Sequence, residues 1–257
     1  MLWCCRGWSG LLWASGASWW LHVLVGCLVA RLAPGLLGGS VPYCVWVWGL
    51  LFRGSHVIIQ DIALVFFMFD SLFAGVVSVG FSGSRSPSPA ASAALAALLP
   101  LVPSGVRVSV GCAHGVDASV RGFFVGSLSL LVFSVASGRF GVGRAAFARR
   151  SVACVRSVAA GSRGLLVALP SSPVPPAGVR PCRFWGSASG SGTWGTAALA
   201  LGRGRRVLLW LPSGCLPPAW SGVPWSSAGA FGSAGCWWLG VPAAVPSASA
   251  PVQLSLF

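Results

Sequence analysis

The scarcity of charged side chains is the feature that most constrains what this chain can fold into. Only 8% of its residues are charged, against about 25% in a typical globular domain, and lysine, glutamate and asparagine do not occur at all. Hydrophobic residues make up 55% of the chain and the mean hydropathy is +0.81. Such a chain has little polar material for a conventional water-facing surface. It is also too hydrophobic for the usual disordered class.

The positive net charge reflects missing acids more than surplus base. It amounts to +14 because 17 arginines face only three aspartates. A charge of this size usually indicates a nucleic-acid or anionic-membrane partner. Seventeen basic residues are a modest total for 257 positions, however, so the charge alone does not predict such a partner.

The composition matches the translation of an adenine-poor DNA strand. Ten residue types need adenine in the first or second codon position, and together they supply 16 of the 257 residues. Half of those 16 fall within residues 56–70, HVIIQDIALVFFMFD, which we interpret as a short island of adenine-richer DNA. All three stop codons contain adenine, so a long reading frame without a stop codon arises by chance in an adenine-poor strand. The rival interpretation is selection for one helix or strand at this place.

Shifts in composition divide the chain into six segments. Residues 1–55 are rich in Trp, Leu and Cys, 56–82 form a hydrophobic helix candidate, and 83–121 form a Ser/Pro/Ala linker. Residues 122–138 are a further hydrophobic helix candidate, 139–163 are arginine-rich, and 164–257 form a Pro/Gly/Ser/Trp low-complexity tail. No repeat of fixed period is present, which argues against a solenoid or propeller.

Three apolar stretches approach the roughly 20 residues that a membrane-spanning helix needs. They are residues 7–30, which also fit a cleaved signal or an anchor, residues 57–81, and residues 122–138. Asp61 and Asp70 lie nine positions apart in the second stretch, on opposite sides of a helix, so a proton relay is not predicted.

These patterns predict no conventional globular fold. The expected structure is sparse and α-helical, with possible membrane-spanning helices near residues 10–30, 57–80 and 122–138 and largely irregular Pro/Gly/Ser-rich connections. The C-terminal third is expected to be unstructured, and the location is a membrane if the chain is expressed.

Two sequence patterns could suggest a functional site, and neither is specific enough to predict one. Residues 190–195, GSGTWG, fit the dinucleotide-binding pattern GxGxxG. No acidic residue follows to bind a ribose, and a chance match is expected among 35 glycines. Cys112, His114 and Asp117 form the sole cluster of potential metal ligands, which we interpret as accidental because no CxxC framework accompanies them.

Catalytic patterns are missing as well, so the chain is not expected to be an enzyme. It has no GxSxG elbow, no lysine to complete a phosphate-binding loop, and too few acids for paired-carboxylate chemistry. No catalytic, cofactor-binding or metal residue is predicted, and no cofactor.

The arginine-rich segment 139–163 gives no clean basic helix face. Arg149, Arg156 and Arg163 align at intervals of seven, whereas Arg139, Arg144 and Arg150 scatter to other sides; Phe140 and Phe147 are the only nearby aromatic residues. A nucleic-acid partner is therefore not expected, and no other partner is identifiable apart from a lipid bilayer.

Three functional hypotheses remain open, in order of preference. The first is a reading frame without an evolved activity. The second is a small integral membrane protein with one to three helices. The third is an arginine-mediated binder of nucleic acid or anionic lipid.

Overall fold

The computed structural model describes residues 72–186, 192–230 and 234–243. Strands and helices alternate along most of this part of the chain. The elements are β1 (Ser78–Gly83), α1 (Pro89–Leu98), β2 (Arg107–Gly111), α2 (Val116–Phe123), β3 (Leu130–Phe133), α3 (Arg144–Ser157), β4 (Gly161–Leu169), α4 (Gly192–Gly202), β5 (Arg205–Pro212), β6 (Trp225–Ser227) and β7 (Gly235–Gly240). Short 3₁₀ turns at Leu99–Leu101 and Val135–Ser137 follow α1 and β3.

The strands form one seven-stranded mixed sheet. Its order is β3-β2-β1-β4-β5-β7-β6. The first five strands are parallel, and β7 and β6 extend the sheet by antiparallel pairing. The order 3-2-1-4-5 in the parallel part is that of a doubly wound α/β fold.

Local sequence explains where α1 begins. Ser88 is extended, and its hydroxyl accepts a hydrogen bond of 3.2 Å from the Ala91 backbone N–H. Pro89 occupies the first helical turn, where its missing N–H costs nothing and its fixed φ suits the helix. The run of alanine and leucine that follows has high helix propensity.

Both faces of the sheet are buried, each against its own pair of helices. In β4, Leu165, Val167 and Leu169 point into the core formed with α1 and α2. The alternate residues Leu166 and Ala168 point into the second core, with α3 and α4. All five side chains are fully buried, so β4 has the continuous apolar sequence typical of a parallel strand covered on both sides.

The predicted sparse helical fold is therefore wrong. Of the three apolar runs predicted as helices, the described parts enter strands β1 and β3 of an α/β sheet and do not form long helices. The C-terminal third is not unstructured either, because it contributes α4, β5, β6 and β7. The segment 83–121, read as a linker, holds the end of β1, then α1, β2 and most of α2.

The stretch 122–138 illustrates the error. It contains the end of α2, a turn at Gly126 with φ of 81°, the four-residue β3 and a 3₁₀ turn. A glycine in the left-handed region interrupts a helix, so the uncharged run is divided between elements.

Membrane-spanning helices are likewise not supported. Among the described residues no helix is both long and apolar enough to cross a bilayer. Residues 7–30 and most of 57–81 lie outside the described part, while the end of the latter stretch enters β1.

Replacing Leu208 in the middle of β5 by alanine tests this core. Leu208 is completely buried, and Leu208→Ala should lower the free energy of unfolding by about 2–5 kcal/mol, since it removes buried methyl groups and leaves a cavity. Denaturant unfolding of the full-length protein measures the change. Leu216→Ala is the control because Leu216 is 75% exposed and should change stability by no more than about 0.5 kcal/mol. Equal effects of the two substitutions would contradict the core described here.

Candidate functional site

The point where the sheet reverses its winding lies between β1 and β4. These strands are neighbours, but α1 after β1 packs on one face of the sheet and α4 after β4 packs on the other. The connections therefore diverge beyond the carboxyl ends of the two strands, which is the position where open α/β sheets form a ligand crevice. Ligands of open α/β sheets bind in such a crevice. We call this end of the sheet the carboxyl edge.

Ser84 joins the connections that meet there. Its backbone N–H donates to Leu169 O at the end of β4 (2.8 Å), and its carbonyl accepts from Val116 N at the start of α2 (3.1 Å). Its hydroxyl accepts from Ser86 N at 3.0 Å. The residue is 8% exposed, so this polar junction is mostly removed from water and its groups need these partners.

Two glycines permit the close packing around Ser84. A Cβ at Gly83 would lie 2.4 Å from Val116 Cγ2, and one at Gly115 would lie 2.3 Å from Ser84 O. Gly115 also has φ of 68°, a left-handed conformation that glycine adopts without steric cost. The loops after β1 and β2 can therefore touch only because both positions lack a side chain.

Three arginines surround a buried carboxylate at this edge. Asp117, in the first turn of α2, has a side chain only 5% exposed and accepts a hydrogen bond from Ala113 N (3.2 Å). Arg150 on α3 places Nη1 3.7 Å from Asp117 Oδ2. Arg121 donates from Nη1 to Gly111 O (2.7 Å) and Ala113 O (3.0 Å), which fixes the loop after β2.

Arg85 completes the set from the loop after β1. It is exposed, and its guanidinium lies 5.4 Å from the ring centre of Phe147 on α3. Arg150 approaches the same ring at 6.0 Å. Within the described residues Arg85 has no carboxylate or carbonyl partner, and the buried Nε of Arg150 has no hydrogen bond. Two guanidinium groups thus keep unused donors next to the crevice.

Burial controls the protonation of Asp117. Desolvation raises the pKa of its carboxyl group above the ordinary 3.8, although the Arg150 charge, the Ala113 N–H and the charges of Arg121 and Arg85 oppose the change. Desolvation outweighs the favourable contacts because the carboxyl is almost completely removed from water.

Cys112 lies at the same edge, directly after β2. Desolvation acts to raise the pKa of its thiol, but the hydrogen bond from Val135 N (3.4 Å) and the Arg150 guanidinium (Nη1–Sγ 3.7 Å) outweigh it, so the pKa is lowered. Burial instead raises the pKa of Cys154 on α3 to about 12.

The structure separates the cluster that the sequence singled out. Cys112 and Asp117 both contact Arg150, whereas His114 is exposed. No group of three potential metal ligands occurs among the described residues. Of the glycine pattern 190–195, residues 190 and 191 lie outside the described part, and Gly192 begins α4 at the carboxyl edge.

Sequence reasoning missed Arg85, Arg121, Phe147 and Arg150 as neighbours. The available signal was the recurrence of short apolar runs ending in glycine or proline, VSVGFSG, VRVSVG, LLVALP and VLLWLP. Runs of this length separated by helical segments predict βαβ units, and the loops after such strands share one edge. Two surface grooves lie away from this edge, one between α1 and α2 and one beside α3.

The raised pKa of Asp117 predicts a pH dependence of stability. A carboxyl group with a raised pKa in the folded state contributes stability below its ordinary pKa of 3.8, and this stability is lost as the pH rises through the folded-state value. Asp117→Asn keeps an acceptor for Ala113 N and cannot ionise, so the fall in free energy of unfolding from pH 3 to 6 should be smaller than in the wild type. Denaturant unfolding across this range measures it. Ser119→Ala, on the exposed side of the same helix, should retain the wild-type profile, and an unchanged profile in Asp117→Asn would contradict the assignment.

No family model, no curated protein and no solved structure matches this chain. Inference about its function therefore rests on the geometry of the carboxyl edge.

Proposed function

We propose that the chain binds a phosphorylated small molecule of the nucleotide class in the crevice at the carboxyl edge, between β1 and β4. The observation that carries the proposal is the position of Arg85 in the loop after β1, where the winding of the doubly wound sheet reverses. Arg85 is exposed and forms no salt bridge within the described residues. Anionic ligands of such folds lie in this crevice, where helix N-termini add favourable partial charge. Both α1 and α4 begin at this edge.

The local charge supports an anionic ligand. Arg85, Arg121 and Arg150 outnumber the single carboxylate of Asp117. A planar guanidinium offers paired N–H donors that match phosphate oxygens.

The proposed activity is binding without a catalytic step. Asp117 already accepts from Ala113 N and faces Arg150, so it is not positioned as a free general base. The prediction that the chain is not an enzyme is retained as part of this proposal.

Arg85→Gln tests the proposal directly. The full-length protein, purified in mild detergent, would be titrated calorimetrically with ATP, AMP and inorganic phosphate at fixed ionic strength. The substitution should weaken binding of the phosphorylated probe roughly tenfold or more, because a charge-assisted hydrogen bond contributes about 1.5–3 kcal/mol. Arg85 is exposed, so the fold should be unaffected.

Arg107→Gln is the matched control. Arg107 is also exposed and lies at the opposite end of the sheet, at the start of β2. The Arg107→Gln substitution removes the same charge as Arg85→Gln and should leave the affinity for the phosphorylated probe unchanged. Equal losses in both variants, or no binding of any of the three probes to the wild type, would contradict the proposal.

The second candidate is a reading frame without an evolved activity. Its supporting observation is the adenine-poor composition, in which ten residue types supply only 16 of 257 positions. Under this hypothesis the chain folds and buries its apolar runs, but no ligand-binding function has evolved.

Ribosome footprints across the frame separate the two candidates at the level of expression. Translation predicts three-nucleotide periodicity in frame through residues 56–70 and beyond. Absence of that periodicity on a well-covered transcript would favour the frame without activity. Periodicity together with ligand binding that depends on Arg85 would eliminate it.

A further inference from the structure

A groove with a basic and aromatic lining lies along the outer side of α3, away from the carboxyl edge. It has a volume of about 410 Å³. Its lining combines basic, aromatic and small apolar side chains: Phe140, Ala148, Arg149, Val152, Ala153, Arg156 and Trp185. We call it the α3 groove.

The two arginines lie on the same side of the helix. Arg149 and Arg156 are seven residues apart, which is about two helical turns and roughly 10 Å along the axis. Both are exposed, and neither has a carboxylate partner within the described residues. The nearest described acid, Asp117, is buried and faces Arg150.

Positive charge continues from the groove past the C-terminal end of α3. Burial, and secondly the nearby Arg156 charge, lower the pKa of Arg203, so these guanidinium groups are close enough to repel one another. Arg203 Nε also donates to Arg183 O at 2.9 Å, and the adjacent Phe184 is 76% exposed. The positive charge on this side of α3 therefore includes Arg203 as well as the two arginines of the groove.

Two aromatic side chains line the groove together with the arginines. Phe140 and Trp185 line the same groove as the two arginines, and each is half-buried. Half-buried rings are fixed in place while part of the ring remains open to solvent. Flat rings alternating with cations are the pattern that holds single-stranded nucleic acid, because unstacked bases lie on the rings and phosphates meet the cations.

We propose that the α3 groove binds single-stranded nucleic acid. A duplex keeps its bases stacked, so it could use the arginines but not the rings. An anionic membrane surface would also be attracted by charge, but a groove cannot insert apolar side chains into a bilayer as an amphipathic helix does. The proposal is independent of the ligand proposed for the carboxyl edge.

The sequence did not predict this surface because one of its rings is distant along the chain. Arg149, Arg156 and Phe140 belong to the arginine-rich segment, but Trp185 comes from the loop between β4 and α4. Arg163 continues the seven-residue spacing in the sequence, but it lies in strand β4 and not on α3. The groove is instead completed by Trp185.

Binding of a fluorescent 20-nucleotide oligothymidine to full-length protein in mild detergent tests the proposal by fluorescence anisotropy at several salt concentrations. Arg149→Gln combined with Arg156→Gln should weaken binding roughly tenfold or more at low salt. The slope of log affinity against log salt should fall by about 1.4, since two phosphate contacts at about 0.7 each are lost. Trp185→Leu should weaken binding by at least about fivefold with an unchanged slope, because it removes stacking and no charge.

Arg139→Gln combined with Arg144→Gln is the matched control. Both arginines are exposed and belong to the same segment, but neither lines the groove. This variant should retain most of the affinity. Thermal unfolding of each variant shows whether its fold is intact, and Arg149→Gln alone provides a milder surface change if the double variant unfolds.

Three outcomes would overturn the proposal. They are equal losses in the groove and control variants, no effect of Trp185→Leu in folded protein, and equal affinity for a duplex of the same length. Anionic vesicles of phosphatidylserine and phosphatidylcholine complete the comparison. Binding to vesicles that depends on Arg149 and Arg156, without binding to the oligonucleotide, would assign the groove to lipid and reject nucleic acid.

Discussion

Two-sided burial of the parallel sheet is the constraint on which the rest of this structure depends. A strand in such a sheet must be apolar at consecutive positions, since alternate side chains enter different cores. In β5, Leu208 and Trp210 enter one core while Val207, Leu209 and Leu211 enter the other. A chain with few polar residues meets this demand easily. The apolar runs of the central strands β4 and β5, which would be hazardous on an open surface, are hidden because helices cover both faces.

The same constraint creates the carboxyl edge and its charges. Helices that cover opposite faces must leave neighbouring strands in opposite directions, so the connections after β1 and β4 diverge although the strands stay paired to their carboxyl ends. Gly83 and Gly115 then let the loops after β1 and β2 pack against each other, which brings Asp117 under the loops and excludes water from it. The raised pKa of this carboxyl and the unused donors of Arg85 and Arg150 therefore follow from backbone packing and not from a local sequence motif.

Sequence reasoning identified the apolar runs but assigned them to the wrong structure, for a physical reason. A short continuous apolar run is compatible with a buried strand, a buried helix or part of a membrane span. Residues 122–138 were ambiguous in this way, and the left-handed Gly126 that divides them is not distinguished from the other 34 glycines by sequence. The start of α1 was more predictable, because Ser88 and Pro89 form a recognisable helix N-terminus. The neighbours of Arg85 and Trp185 could not be predicted, since both contacts join segments that only the sheet topology brings together.

The arginines of this chain have few acidic residues to pair with, and this determines the charge of the protein surface. With no glutamate in the chain, guanidinium groups use backbone carbonyls instead: Arg205 donates to Val158 O at 2.7 Å and Arg206 to Ser162 O at 2.6 Å. Carbonyl partners fix the position of an arginine but leave its full charge uncompensated, unlike a carboxylate. Lysine, a compact and strongly hydrated ammonium, would suit these half-buried positions less well. The fold thus holds a set of oriented cations at fixed places without carboxylate partners, and both of the proposed ligand surfaces depend on this arrangement.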